Sequence, residues 1–591
     1  MSGSITFTLK GKATGSGDYP PPAGDHWMII EDTLVQNEKI TVERNITVEG
    51  TGKLTLDNVT LVINASNYGE VWITVKRGGE LKVINNSKIT EGASLVNYDF
   101  MFENGSHGLI QNSTIEDCGW DDGGTFQSSG GILIASDNVV IENSTIQNNH
   151  IGIVVISSSP TIRYNDIHDN QKYGIFLFNG SAQIMSNDID INPVGVYSLY
   201  SKFTLSENEV HDNGDGIRSY YSSISIKGGN ISSNSPDDCS TGTCSAQESG
   251  KGVYGESSNL SLDGVSISEN SRGLITYYTR LEVHNSIFSD NIGDAIEGEL
   301  SEIDLTNNLF SNNSGYCIRW MYSPLDVGDS NTFTQNNGEG RIILQWEVFL
   351  NITDSYGDWI NNAEIEFEGE GIFDSANTNI VGVAKKAVTQ YTIANDGSLI
   401  DHNPYTISAR KIAPWDGIEY SNSTTIEITG NIEVDIIVPL NKPDLTVDSI
   451  TFSETPKAGA ELKIKIMLSN IGDTLAKNVS LTVTQKDSLG KTAVVNKTTF
   501  FLESNDDLEL YISWVPEQEG ETVINVFVDD IRNIPEKNED NNELEKTVSV
   551  LEKDVPFFQS PYLYAGLVAF LIVLIGVGIY IFAQRNKPSE E

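Results

Sequence analysis

The sequence is poor in cysteine, poor in basic residues and almost without helical periodicity. Four cysteines in 591 residues cannot form a disulfide framework, so packed cores have to hold the chain. Cys239 and Cys244, in the run CSTGTC, are near enough in sequence to close a small disulfide loop in an oxidising compartment, while Cys118 and Cys317 stand alone. Basic residues number 37 against 82 acidic ones, a formal charge of −45, which disfavours nucleic acid and anionic lipid as partners. Cations, neutral sugars and basic proteins remain compatible, and adaptation to a salty medium gives the same balance. The sequence also lacks zinc-ligand spacing, a phosphate loop and a nucleophile elbow.

What is present is β-branched residues, Asn, Ser and Gly in short alternating runs, an all-β composition. One exception stands near the C-terminus. Leu563 to Phe582 is an uncharged apolar run of 20 residues, long enough to cross a bilayer as a helix. Tyr562, Tyr564 and Tyr580 mark its ends, and Arg585 and Lys587 after it predict a short cytoplasmic tail with the bulk of the chain outside. Export requires an N-terminal signal. The opening MSGSITFTLKGKATGSG has no apolar core for one, which predicts a trimmed N-terminus, with tail anchoring from the cytoplasm as the alternative. Fifteen N-x-S/T sequons favour an exported, glycosylated surface.

From Ile115 to Asn336 one phrase recurs: an apolar residue, two polar ones, Asn, a gap, Gly, and an apolar run. The leaders Ile115, Ile146, Ile167, Ile189, Val210, Ile231, Ile267, Phe288, Phe310 and Phe333 are mostly 21 to 23 residues apart. Each repeat therefore reads as one solenoid coil, with equal positions stacked about 4.8 Å apart. The column Asn149, Asn170, Asn192, Asn213, Asn234, Asn270, Asn291, Asn313 and Asn336 predicts an amide ladder whose αL tolerance supports the turn. Gly152, Gly174, Gly195, Gly216, Gly252 and Gly273 predict corners at positive φ. Two longer repeats place extra residues near 119–130 and 235–251, both between the Asn and Gly columns.

These residues resemble the right-handed parallel β-helix superfamily, which includes pectate-lyase-like enzymes and copper-associated accessory proteins. The resemblance covers roughly residues 30 to 345 and implies the fold, not an activity. Pectate-lyase-like enzymes pair an Arg base with calcium-binding Asp residues, and uronan epimerases carry an Asp-Pro-His-Asp or Glu run. The sequence has no such run.

Alternation along the strand after each Gly puts Phe176, Tyr197, Arg218, Tyr254 and Ile275 in one outward column. Phe178, Leu199, Tyr220, Tyr277 and Trp320 make the next. An outward aromatic face suits the C–H faces of a sugar, so Phe176, Tyr197, Arg218, Tyr220, Tyr254, Tyr277 and Trp320 are the candidate ligand-binding residues. Mutual packing of the rings is the competing reading. Asp215, Arg218 and Glu256 are the candidates for acid–base catalysis. Glu269 and Asp290, on adjacent coils, are the candidate Ca²⁺ ligands, against an ordinary acidic rim. His168 and His211 stand two coils apart, too far to share one metal, and read as solvated turn residues. Cys317 reads as a buried inward thiol.

Beyond the repeat, residues 347–441 alternate as a small β-sandwich whose opening resembles carboxypeptidase-regulatory-like spacers. Residues 442–552 carry Pro443-Asp444-Leu445, Ser469-Asn470-Ile471-Gly472, Trp514 in a Trp-x-Pro turn, and Ile534-Pro535-Glu536-x-Asn538-Glu539-x-Asn541-Asn542. This resembles the CARDB module, an adhesion-related domain of bacteria and archaea, and implies a stalk or adhesion spacer. The acidic run from Glu536 to Glu543 can bind Ca²⁺, but reads better as a solvated turn.

The expected architecture is all-β: an N-terminal segment (1–30), a right-handed parallel β-helix (31–346), two sandwiches (347–441 and 442–552), a linker (553–562), a transmembrane helix (563–582) and a tail (583–591). The expected function is a membrane-anchored surface protein whose β-helix binds glycan or another surface ligand. A surface carbohydrate-active enzyme (lyase, hydrolase or epimerase) and a purely structural envelope component are the alternatives.

Overall fold

The computed structural model describes residues 24–92, 95–120, 130–236, 250–328, 330–336, 340–553 and 561–585. Cys239 and Cys244, and most of the two inserted segments, lie outside the described residues. From Trp27 to Thr334 the chain winds through three parallel sheets, here called A, B and C, visited in that order once per coil. Registers are unbroken along the axis. In sheet C, Ile115, Ile146, Ile167, Ile189, Val210, Ile231, Ile267, Phe288, Phe310 and Phe333 all pair in sequence, so the expected apolar leaders form one inward column. Its three Phe rings stack at 5.1 and 5.0 Å between centroids.

All three corners carry an inward polar ladder. At the C–A corner, Asn213 Oδ1 accepts from the backbone N–H and the Nδ2 of Asn192, and Asn213 Nδ2 donates to Asn234 Oδ1. At the B–C corner, Asn165, Asn187 and Asn208 repeat the pattern. At the A–B corner the ladder is hydroxylic, with Ser201 N–H donating to Ser222 Oγ and Ser222 N–H to Ser258 Oγ. These bonds satisfy backbone groups that the turn would otherwise bury unpaired.

Two expectations about the C–A corner are corrected. The αL residue is not the Asn but the one before it: Asp169, Ile191, Asp212, Glu269 and Asp290 have φ between 51° and 59°. The Gly column is absent from the positive-φ positions. It is needed instead for close approach, because a Cβ on Gly152 would sit 2.5 Å from Gly174 O and 3.1 Å from Asn170 Nδ2.

The helix passes into the first sandwich without a break. Strand Ile342–Asp354 pairs in parallel with Ile318–Met321 of the last coil, then antiparallel with Val383–Ile393 and parallel with Ile432–Val438. Sheet A is thereby continued by the sandwich. The facing sheet comprises Ile372–Asn377, Glu364–Gly369, Tyr405–Ile412 and Glu419–Ile426. The second sandwich faces a three-stranded sheet (Leu445–Phe452, Leu462–Asn470, Asp506–Trp514) with a four-stranded one (Thr492–Leu502, Ala476–Lys486, Gly520–Val528, Glu543–Val550). A 25-residue helix, Pro561–Arg585, ends the described chain. It is about 37 Å long at 1.5 Å per residue, enough to span a bilayer core, and its apolar side chains are exposed.

Candidate binding face on the β-helix

The outer side of sheet A is set by strand alternation. Register places Phe176, Tyr197, Arg218, Tyr254, Ile275, Glu297 and Arg319 in one column. Phe178, Leu199, Tyr220, Glu256, Tyr277, Glu299 and Met321 form the next. The two expected outward columns are therefore present, with one correction. Trp320 pairs with Gly298 in the inward column between them and is 0% exposed. A Cβ on Gly298 would lie 1.9 Å from the Trp320 ring, so the missing side chain on one coil makes room for the indole of the next.

The face changes character along the axis. At its N-terminal end Leu133, Ile151, Val154 and Phe176 form an apolar cluster outside the main core, and Phe176 is only 1% exposed. Phe176 is thus packed against its neighbours, not presented. In the middle, half-buried rings form a continuous row: Tyr173–Tyr197 at 4.7 Å, Tyr197–Tyr220 at 5.5 Å and Tyr220–Tyr254 at 5.6 Å. Lys172 and Lys251 lie over Tyr173 and Tyr254, at 5.5 and 5.6 Å. At the C-terminal end, ion pairs take over: Arg319–Asp294 at 2.6 Å and Arg272–Glu297 at 3.4 Å.

Within the row, Asp215 and Arg218 make a fixed pair. Asp215 is 0% exposed, its Oδ2 accepts from Arg218 Nε, and its Oδ1 accepts from the backbone N–H of Lys251 at 2.8 Å. Burial opposes charge on the guanidinium, but the Asp215 carboxylate outweighs it and raises the Arg218 pKa. Tyr254 Oη donates to Glu256 Oε2 at 2.9 Å. Burial pushes the Tyr173 hydroxyl up to about 12 and also raises Tyr197 and Tyr220, so the row stays neutral at physiological pH. The three candidate catalytic residues are brought to one place. With both oxygens engaged, the buried Asp215 fixes the orientation of the Arg218 guanidinium.

Tyr277 stands apart from the row, edge-on to Tyr278 at 4.4 Å. Glu269 and Asp290 occupy successive αL corner positions, and Asp290 Oδ1 accepts from Asn312 Nδ2 at 2.5 Å. Among the described residues no group of three or more His, Cys, Asp or Glu side chains is placed to hold a metal ion. His211 bridges Asp188 and Asp212 at 2.8 and 2.7 Å, as a rim residue of sheet C. Cys118 and Cys317 are free and buried.

The sequence reading missed Tyr173, Lys172 and Lys251. Tyr173 lies two positions before the inward Ile175, so strict alternation turns it inward and the sequence pattern does not mark it as part of the row.

The family model of the right handed beta helix region matches residues 44–206 and 194–337, and the CARDB model matches residues 442–546. Among curated proteins none matches the chain. The crystal structure of a CARDB domain from Pyrococcus furiosus, in complex with di-metal ions, is 27% identical and covers 19% of this chain and 90% of its own, with a TM-score of 0.17. The A-module of a mannuronan C-5 epimerase from Azotobacter vinelandii is 16% identical over 52% of this chain and 88% of its own, with a TM-score of 0.32. A shaft pilin from Lactobacillus rhamnosus is 9% identical over 35% of this chain and 95% of its own, with a TM-score of 0.14. By its matched regions and its architecture, the chain combines a right-handed parallel β-helix with a C-terminal CARDB module and a terminal apolar helix.

Proposed function

We propose that this is a single-pass, membrane-anchored surface protein whose sheet A face binds glycan, with the two sandwiches as a stalk. The observation that carries this reading is the unbroken row of half-buried rings, Tyr173, Tyr197, Tyr220 and Tyr254, beside the oriented guanidinium of Arg218. Aromatic faces take the C–H surfaces of sugars, and an Arg held by a buried carboxylate is a preorganised donor for their hydroxyls. The anchor reading is supported by Pro561–Arg585, with Arg585 at its cytoplasmic end. Binding is favoured over catalysis because Asp215, the buried carboxylate of the site, is committed to Arg218 and Lys251.

The test is a glycan-array screen of the full-length protein in lipid nanodiscs, with Tyr197→Ala/Tyr220→Ala alongside. The expected result is binding to a discrete glycan class that the double variant loses. Absence of binding to every glycan would overturn the proposal and leave a structural role.

A further inference from the structure

Tyrosine recurs at the positive-φ position of the A–B corner. From Ser157 to Tyr322 the A–B corner residue of each coil has positive φ, and its N–H donates to a carbonyl of the next coil. Tyr200 donates to Tyr220 O, Tyr221 to Glu256 O, and Tyr278 to Glu299 O, at 3.0 to 3.1 Å. Asn, Asp and Gly adopt that conformation at least cost, and the B–C corner uses Asn or Gly there in most coils, as at Asn58, Asn112, Asn143, Gly228, Gly264, Asn285 and Asn307, with Tyr164, Ser186 and Glu207 in three others. The A–B corner has Tyr200, Tyr221, Tyr278 and Tyr322 there, with φ between 47° and 65°, and Ser157, Asn179, Ser257 and Leu300 in the intervening and flanking coils. A ring is among the least suited side chains for this backbone.

Burial does not compensate for the misfit. Tyr200, Tyr221 and Tyr278 are 55%, 52% and 55% exposed, and Tyr200 and Tyr221 stack on each other at 5.2 Å. Strained, solvent-exposed aromatics repeated at one structural position point to contact with something outside the fold.

The surroundings define what that is. On the sheet A side, Glu256 and Glu299 immediately precede the corner residues of their coils and offer carboxylate acceptors. On the sheet B side, a hollow of about 680 Å³ begins two residues past the corner. Its lining includes the small hydroxyl side chains of Thr204, Ser225 and Ser261, in one register column, with Lys202 and Arg280 at its margin. Arg280 is already paired with Glu282 at 3.1 Å. Rings, hydroxyls and carboxylate acceptors suit a polyhydroxylated ligand, while the acidic surroundings and the net charge of −45 disfavour a polyanion.

We infer that the binding surface wraps the A–B corner and that its ligand is a neutral polysaccharide, lying along the helix axis across Tyr200, Tyr221 and Tyr278 and into the sheet B hollow. This rests on the glycan-binding reading above and goes further by fixing the ligand class and the path.

The test uses full-length protein in nanodiscs, titrated with soluble neutral polysaccharides (a β-glucan, a mannan and a xylan) and with alginate and polygalacturonate as anionic probes. Three proteins are compared: wild type, Tyr221→Asn/Tyr278→Asn, and the sheet A variant Tyr197→Ala/Tyr220→Ala. The expected result is that a neutral polymer binds wild type at least tenfold more tightly than either anionic one. The Asn variant should lose at least tenfold while its Tm is held or raised, since Asn fits the αL backbone better. A second corner variant, Ser225→Gln, fills the hollow and should weaken binding similarly. Unchanged binding in the Asn variant, with loss in the sheet A variant, overturns this inference and leaves the face reading standing. A Tm that falls with the loss of binding shows that the rings serve packing, and also overturns it. Preference for the anionic polymers overturns the ligand class. Wild type that binds none of the five overturns both readings.

Discussion

Lys442 Nζ lies 2.7 Å from Asp354 Oδ2, and the two side chains are 3% and 4% exposed. Lys442 opens the second sandwich, whereas Asp354 ends the long strand that leaves the β-helix, so this buried pair pins two modules together. Asp358 also contacts Lys442, Tyr356 lies under its ammonium at 5.1 Å, and Tyr356 Oη donates to Asp473 at 2.8 Å. Burial works against the lysine charge, but the two carboxylates outweigh it and raise its pKa.

Breaking the pair from one side leaves the buried Asp354 carboxylate without its cation, held only by the backbone N–H groups of Tyr356 and Asp358. Lys442→Met should destabilise by about 3–5 kcal/mol. The double change Lys442→Met/Asp354→Leu should recover only part of that loss, because Asp354 also accepts from the backbone N–H groups of Tyr356 and Asp358. Thermal unfolding of the four proteins of the cycle checks both expectations.

The Asn ladder holds the coils in register, so its members should be costly to remove. Asn213 is fully buried and bonds to Asn192, Asn234, Ile189 O and His211 O. Asn213→Ala leaves buried backbone groups unpaired and should cost about 2–4 kcal/mol in urea unfolding. Asn312, at the exposed αL position of the same corner, should tolerate Gly with little change.

Trp320 provides a control for the binding surface. It fills the space over Gly298 from inside the coil, so Trp320→Ala should destabilise by about 3–5 kcal/mol through cavity formation. Glycan affinity per folded molecule should not change. A selective loss of binding without loss of stability would contradict the inward placement.

Much of this was legible in the sequence because a solenoid repeats its constraints. The Asn column and its apolar leaders recur at fixed spacing, and the amide ladder and the inward stack follow from that. The other two ladders were hidden, since hydroxyl, amide and glycine substitute for one another there, as in Gly180, Ser201, Ser222, Ser258 and Thr279. Alternation counted from Cys317 as the inward residue turns Trp320 outward. Cys317 in fact stands beside Ala295 in the glycine column, its neighbour Ile318 points inward, and every later side chain shifts by one. The αL tyrosines were invisible because nothing in the sequence marks a Tyr whose φ is dictated by the neighbouring coil.

The CARDB module carries its own pH dependence. Glu536 is 5% exposed, and burial pushes its carboxyl up to about 8, against hydrogen bonds from Leu445 N–H at 2.5 Å and Asn542 Nδ2 at 2.8 Å. Glu539 and Asp529 push it further in the same direction. A raised folded-state pKa means the fold holds this proton more tightly than the unfolded chain does. The corresponding stability is therefore full below about pH 4.5 and is lost as pH rises towards 8. Calorimetry should show the module's transition falling in temperature between pH 5 and 8, and Glu536→Gln should flatten that slope.

The central claim is that the sheet A side of the helix, and not sheet C, meets the ligand. Isothermal titration with the best array glycan tests it most directly, using full-length protein in nanodiscs. Tyr197→Ala/Tyr220→Ala is compared with Asp166→Asn/Glu209→Gln, a matched pair of exposed changes on sheet C. The account expects at least a tenfold loss of affinity in the first and wild-type affinity in the second. Equal affinities across all three proteins, or a loss confined to the sheet C variant, would contradict it.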